Sequence, residues 1–229
     1  METYYGMNIA SLSTKVMELG EIRRTLEHLR ERMKHSYRVW AQNAWLNLMI
    51  YRLSTCCGLR GCEFRRLRLD DFVLGGSRPI IRVRKEITKG QTRTRAVPLW
   101  WDAGTRDEIT EFVQWRRSYL SENAVALIAD FDDRWQMKNA TEYMDRRKCW
   151  RRWKRFVGKA LGEDRVSQLG VHAGRHSFCT HALANGRTLA EVRDAAGHSN
   201  ISITNIYLHA LETGSELPDL FPEEDDSCL

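Results

Sequence analysis

"HAGRHSFCTHALANGRTLAEVRDAAGHSNISITNIYLH", residues 172–209, has the spacing of a helical hairpin but carries four side chains that such a hairpin does not need. Phe178 and Leu183 mark the inward face of a first helix, and Asn185 and Gly186 end it. TLAEVRDAAGHSN reads as a second helix that stops at Gly197, with His198 directly after the stop. Ser202 or Thr204 begins a last short helix carrying Tyr207. His172 and Arg175, three apart, share one face at a helix start, the end that favours an anion. Two helix starts and one helix end therefore present two imidazoles, a guanidinium and a phenol, which folding can bring together.

Each of the four also has a plain structural role open to it, as a satisfied histidine, a half-buried tyrosine or a surface ion pair. His172, His176, Cys179 and His181 loosely imitate a metal-ligand cluster. The run lacks the glutamate of an HExxH site, and Cys179 and His181 do not both fall on the histidine face. Neither a metal nor another cofactor is expected.

Upstream, Leu19, Ile22, Leu26, Leu29 and Met33 recur at threes and fours, so helical spacing begins near Val16. A broad apolar helix runs from about Val39 to Ser54, and Gly58 interrupts it with a tight turn that delivers Arg60 to the head of a short helix. Residues 79–99 are dense in β-branched side chains and alternate apolar with basic residues, the pattern of a small antiparallel sheet with one packed face. Its later turn falls on Lys89 and Gly90. Helical spacing returns with Ile109, Phe112 and Val113. The fold class expected is mainly α with a small antiparallel β-sheet.

Residues 145–159 place Trp150, Trp153, Phe156 and Val157 on one stripe, with Arg146, Arg147, Lys148, Arg151, Arg152, Lys154, Arg155 and Lys159 elsewhere. Such a helix docks by its aromatics and turns a cationic field outward, either as a DNA-facing surface or as a merely solvated one. The chain as a whole has 36 Lys and Arg against 30 Asp and Glu, a formal charge of +6. Glu212, Glu216, Asp219, Glu223, Glu224, Asp225 and Asp226 all lie in the last stretch, so the body before it carries 36 basic against 23 acidic residues, or +13. A body that positive expects a polyanion. No run approaches the roughly 20 apolar residues of a membrane-spanning helix, and no basic-then-apolar signal opens the chain, so nucleic acid in the cytoplasm, at the nucleoid if the source is bacterial, is the expected partner and place. The six cysteines form no CxxC pair and are expected to be reduced.

GLRGCEFRRLRLDDF, TKGQTRTRAVPL, HAGRHSF and AAGHSNISITNIYLH stand here in the order and approximate spacing of the tyrosine recombinase or phage integrase family, which the chain resembles from about Leu12 to Ala210. The resemblance implies a catalytic domain over residues 16–210, a flexible entry or linker remnant over 1–15, and an acidic tail over 211–229 that is either an assembly element or disordered. It implies that Arg60 is the first family arginine, Lys89 the lysine of the β-turn, His172 and Arg175 the HxxR pair, His198 the second histidine and Tyr207 the nucleophile, with Glu63 as the buried acid beside Arg60. Lys85 is the backup lysine, placed in the strand body.

The implied activity is metal-independent cutting and rejoining of DNA through a 3'-phosphotyrosyl intermediate, by a homo-oligomer assembled on DNA. Type IB topoisomerase-like relaxation and a DNA-binding regulator on the same fold are the alternatives. The segment before Val16 is too short for the family's amino-terminal clamp domain, which leaves a catalytic fragment or a minimal protein.

Overall fold

The core forms around one helix that is apolar on almost every side. A computed structural model of the chain describes residues 3–4, 7–8, 14–34, 38–91, 93–119, 125–130, 143–199 and 204. A short antiparallel pair, β1 (Thr3–Tyr4) and β2 (Met7–Asn8), precedes helices α1 (Leu19–Lys34) and α2 (Arg38–Tyr51). In α2, Leu46, Leu48, Met49, Ile50 and Tyr51 are all buried, so its C-terminal half presents no solvent stripe. Ile22, Leu26 and Leu29 of α1 pack on it.

The spacing predicts helix from Val16, whereas α1 begins at Leu19. The backbone groups before it are taken by distant partners. Met17 donates its N–H to Ser177 at 2.9 Å and receives His181 Nε2 on its carbonyl at 2.7 Å, while Arg165 holds the carbonyls of Thr14 and Val16 at 2.6 and 2.7 Å.

Beyond Tyr51 the helix widens into a π-helical turn, Arg52–Cys56, where the sequence pattern predicts ordinary helix as far as Ser54. The Cys57 N–H reaches five residues back to the Arg52 carbonyl at 2.9 Å. Gly58 then reverses the chain with φ 61°, and a Cβ there would stand 2.4 Å from Cδ1 of Phe178, so both its conformation and its neighbour require glycine. The reversal sets Arg60 at the head of α3 (Gly61–Phe64), as the sequence predicts.

Strands β3 (Phe72–Val73), β4 (Ile80–Val83) and β5 (Arg95–Pro98) form the antiparallel sheet, with Ile81 opposite Val97 and Val83 opposite Arg95. Ile81, Val83 and Val97 are buried while Arg82 and Ala96 are exposed, the alternation of a sheet packed on one face. Lys85 opens a 3-10 turn after β4 rather than lying in the strand body. The connection then turns through Gly90 and Gln91 at φ 81° and 50°.

The remaining helices are α4 (Ala103–Tyr119), α5 (Arg146–Leu161), α6 (Glu163–Gln168), α7 (Ala173–Ala184) and α8 (Leu189–Ala196). The expected Ile109, Phe112 and Val113 are buried in α4, and Trp153, Phe156 and Val157 in α5. At about 1.5–3 kcal/mol for each large apolar side chain removed from water, these faces hold the helices to α2. The architecture is mainly α with a small antiparallel sheet, as the sequence implies.

Candidate active site

The C-terminal side of the π-turn, the head of α3, the β4–β5 connection, the start of α5 and the start of α7 converge on one pocket. Its volume is about 500 Å³, and Arg60, Lys89, Arg146, Arg147, His172 and Arg175 all line it. Lys85 does not, which separates the two lysines.

Arg60 precedes the first turn of α3 and is aimed by Glu63. The Glu63 carboxylate accepts the Arg60 backbone N–H at 2.9 Å and its guanidinium Nη1 at 3.1 Å. Glu63 is fully buried. Burial pushes its carboxyl pKa up, but hydrogen bonds and charge from Arg95, with smaller help from Arg60, outweigh that and hold it below its ordinary value. Arg95 is a partner that the sequence reading missed. Its parity carries the signal: Arg95 stands in phase with Val97, on the core side of β5, where a cation needs a buried acid.

Lys89 is exposed on the β4–β5 turn and borders the pocket by its long side chain. His172 precedes the first residue of α7, and Arg175 lies in its first turn. Gly174 lets this end of α7 press on the π-turn, since a Cβ would stand 2.7 Å from Thr55 Oγ1. Arg175 is buried and donates Nη1 to the Gly58 carbonyl at 2.8 Å, while its Nη2 has no hydrogen-bond partner among the described residues. Burial lowers its pKa to about 10, still far above neutrality, with Arg60 and Arg95 adding repulsion. A permanently charged fork, half satisfied and facing a pocket lined by other cations, is built to receive an anion. His172 is itself held below the ordinary histidine value by partial burial and then by Arg175, Arg60, Lys89 and Arg146, so near neutral pH it is a proton acceptor.

His198 follows Gly197, the left-handed residue that ends α8, and is buried with Nδ1 against Thr204 Oγ1 at 2.8 Å. Burial, then Arg175 and Arg60, lower its pKa to about 3. It therefore sits in the field of the same two arginines, behind the pocket wall. His181 is committed to Met17 and Cys179 is fully buried, so the loose metal-like run does not converge. Tyr207 and the acidic tail lie outside the described residues.

Helix α5 divides its cations. Arg146 and Arg147 face the pocket, with Trp150 half-buried beside them and stacked on Trp153 at 5.0 Å. Lys148, Arg151, Arg152, Arg155 and Lys159 line a second groove of about 600 Å³, together with His28 and Arg32 of α1. Lys154 lies over the Trp150 ring at 5.9 Å. Not all of the expected outward field is free: Lys148 pairs with Asp130, and half-buried Arg152 donates to Asn43 and, at 3.0 Å, to Asn47.

A sequence profile of the phage integrase family matches residues 15–213. The chain belongs to that family. Among curated relatives of this integrase-family chain, tyrosine recombinase XerD of Proteus mirabilis is 34% identical over 154 residues, which is 67% of this chain and 44% of that protein. XerD of Lacticaseibacillus casei is 30% identical over 161 residues, 70% of this chain and 49% of that protein. The chain thus spans about half the length of these relatives. The fold is shared with the XerH site-specific recombinase bound to its difH substrate in a pre-cleavage complex, at TM-score 0.62 and 21% identity over 84% of this chain and 50% of that one. XerA recombinase matches with TM-score 0.60 and 22% identity over 85% of this chain and 60% of that one.

Proposed function

We propose that this chain carries the catalytic apparatus of a site-specific DNA recombinase or integrase, which cuts and rejoins strands through a covalent 3'-phosphotyrosine. The observation that carries the reading is the half-satisfied, buried Arg175 facing one pocket with Arg60, Lys89 and His172. Transfer of a phosphodiester to a phenol places growing negative charge on the nonbridging oxygens. Arg60 and Arg175 offer those oxygens paired donors that need no deprotonation, so the clamp supplies charge stabilisation from side chains alone, and metal-independent chemistry is proposed.

The Tyr207 oxygen bonds to phosphorus as the bond from phosphorus to the 5'-oxygen breaks. The phenol proton passes to neutral His172, Lys89 protonates the leaving 5'-oxygen, and His198 adds a hydrogen bond at the phosphate. Glu63 aims Arg60 without touching the phosphate.

Duplex DNA is the proposed partner, met by Arg146 and Arg147 beside the scissile phosphate and by Lys148, Arg151, Arg152, Lys154, Arg155 and Lys159 farther along α5. A homo-oligomer assembled on DNA, with residues 211–229 as a docking element, completes the reading, and the cytoplasm is its place of action. Among the described residues no helix is long and apolar enough to cross a membrane. Relaxation of a single duplex, or binding without chemistry, has no observation in its favour over strand exchange.

A duplex nicked just beyond the scissile phosphate tests the proposal. The chain should become trapped on the 3' side, and Tyr207→Phe should bind the duplex without forming the adduct; a phosphotyrosyl adduct surviving in Tyr207→Phe would remove Tyr207 as nucleophile.

A further inference from the structure

Glu63 aims Arg60, but an isolated buried carboxylate cannot aim anything unless it is itself fixed. Arg95, buried at the start of β5, fixes it. Both terminal nitrogens of Arg95 meet both carboxylate oxygens, Nη1 to Oε1 at 3.0 Å and Nη2 to Oε2 at 2.8 Å, a two-pronged pairing that sets the carboxylate plane. The remaining nitrogen, Nε, donates to the Ala195 carbonyl at 2.9 Å, in the last turn of α8.

Gly197 makes this reach possible. A Cβ there would lie 2.8 Å from Cδ and Nε of Arg95 and 2.9 Å from Cζ, so any side chain at this position would displace the guanidinium. The Gly197 carbonyl in turn lies 3.5 Å from Nη2 of Arg60. One guanidinium thus links β5, the carboxylate that holds Arg60, and the helix end from which His198 emerges.

We infer that Arg95 is a positioning residue that locks Arg60 and His198 into a single frame, acting on the first through Glu63 and on the second through the end of α8. It does not line the pocket. A charge pair spent only on stability has a cheaper solution here, because apolar side chains at both Arg95 and Glu63 would fill the same space without desolvating either charge. What the arginine adds is direction. The inference rests on the recombinase reading for the chemical use of Arg60 and His198, though not for the geometry itself.

The test uses the full chain and the nicked duplex. Arg95→Met should slow single-turnover adduct formation roughly 10- to 100-fold, the range for losing a group that orients a reacting one, while duplex affinity changes by less than about twofold. Arg95→Lys should recover only part of the rate, since an ammonium cannot span both carboxylate oxygens. Arg95→Met combined with Glu63→Gln should be slower than Glu63→Gln alone by much less than Arg95→Met slows the parent, because only the arm through α8 is then left to lose. Gly197→Ala, which keeps both ionic residues but evicts the guanidinium, should reproduce the loss if the arginine variants fold poorly.

Without DNA, arginine side-chain and histidine ring NMR signals should show Arg60 and His198 both shifted in Arg95→Met. Unshifted signals, additive rate effects or equal losses of affinity and rate would overturn the inference. A wild-type chain that forms no adduct, with both signals still shifted by Arg95→Met, would overturn the recombinase reading and leave the positioning role standing.

Discussion

Two buried arginines flank the same π-turn and have opposite surroundings. Arg52, at its start, donates to Glu108 at 2.7 Å and Thr105 at 2.9 Å and stands 3.5 Å from Asp102, and those acids together with Cys56 hold its pKa above the ordinary value against the cost of burial. Arg175, which reaches Gly58 just beyond the turn, has among the described residues one carbonyl, no hydrogen-bonded acid and one terminal nitrogen with no hydrogen-bond partner. Burial is nearly equal, at 2% and 6% exposure, so burial alone does not distinguish structure from function. The distinction lies in whether the protein supplies the counter-charge. Arg52 is neutralised from within, whereas Arg175 sits beside a pocket lined by Arg60, Lys89 and Arg146, and on the proposed reading an arriving anion supplies what the protein does not.

Exchanging the two roles is the most severe way to break the comparison. Arg175→Ala should cut single-turnover cleavage roughly 1000-fold, about 4 kcal/mol of transition-state stabilisation, with a melting temperature equal to or above that of the parent. Arg52→Met should do the reverse. By stripping Asp102 and Glu108 of a buried cation it should cost about 3–5 kcal/mol in denaturant unfolding, while the molecules that remain folded keep cleaving. A thermally fragile Arg175→Ala would place both arginines in the structural class.

Gly58 sharpens the comparison, because among the described residues its carbonyl is the one hydrogen-bond acceptor for Arg175. Gly58→Ala should lose about 2–4 kcal/mol of stability, from the left-handed backbone and from Phe178 pushed aside, and should weaken cleavage in the same molecule. Normal cleavage by the folded fraction of this variant would show that Arg175 is aimed by something other than the turn.

The smallest effect is on proton binding. Arg175 repels protons from its neighbours: His198 is lowered to about 3 and His176 to about 4, burial being the first cause in each. Unfolded histidines protonate near 6.5. As pH falls below about 6.5 the unfolded chain therefore binds protons that the folded chain refuses, and stability decreases with falling pH down toward 4 and 3. Melting temperatures taken from pH 7 to 3 should fall accordingly, and below about pH 5 the slope should be shallower in Arg175→Met, where the repelling charge is gone. An unchanged slope would mean that desolvation alone keeps the imidazoles neutral.

What the sequence disclosed and what it withheld follow the range of the interactions. The Gly58 reversal, the Lys89 turn and the starts and stops of α7 and α8 are set by residues within one or two helical turns, so their signals stand in the chain as written. The resemblance already set Lys89 ahead of Lys85, and of the two only Lys89 lines the pocket. The Arg95–Glu63 pair joins positions 32 residues apart, and nothing local announces it except the phase of a charged residue in a strand. Val16 fits a helical period, yet its segment gives its hydrogen bonds to α6 and α7, a competition that periodicity does not register. The π-turn is the least legible element, since five-residue hydrogen bonding has no compositional signature here. Tyr207 was found by motif alone and lies outside the described residues.

That π-turn also makes segment length itself a constraint. Deleting one residue from α2 while the wide turn stays open would rotate everything downstream by about 100°, carrying the Gly58 carbonyl away from Arg175 and Arg60 away from the pocket. An insertion at the exposed tip around Gly90 adds slack to a hairpin and leaves its strands paired. Relatives that diverge by insertion and deletion can therefore lengthen the hairpin beyond Lys89, while the helical segment before Gly58 is counted to the residue.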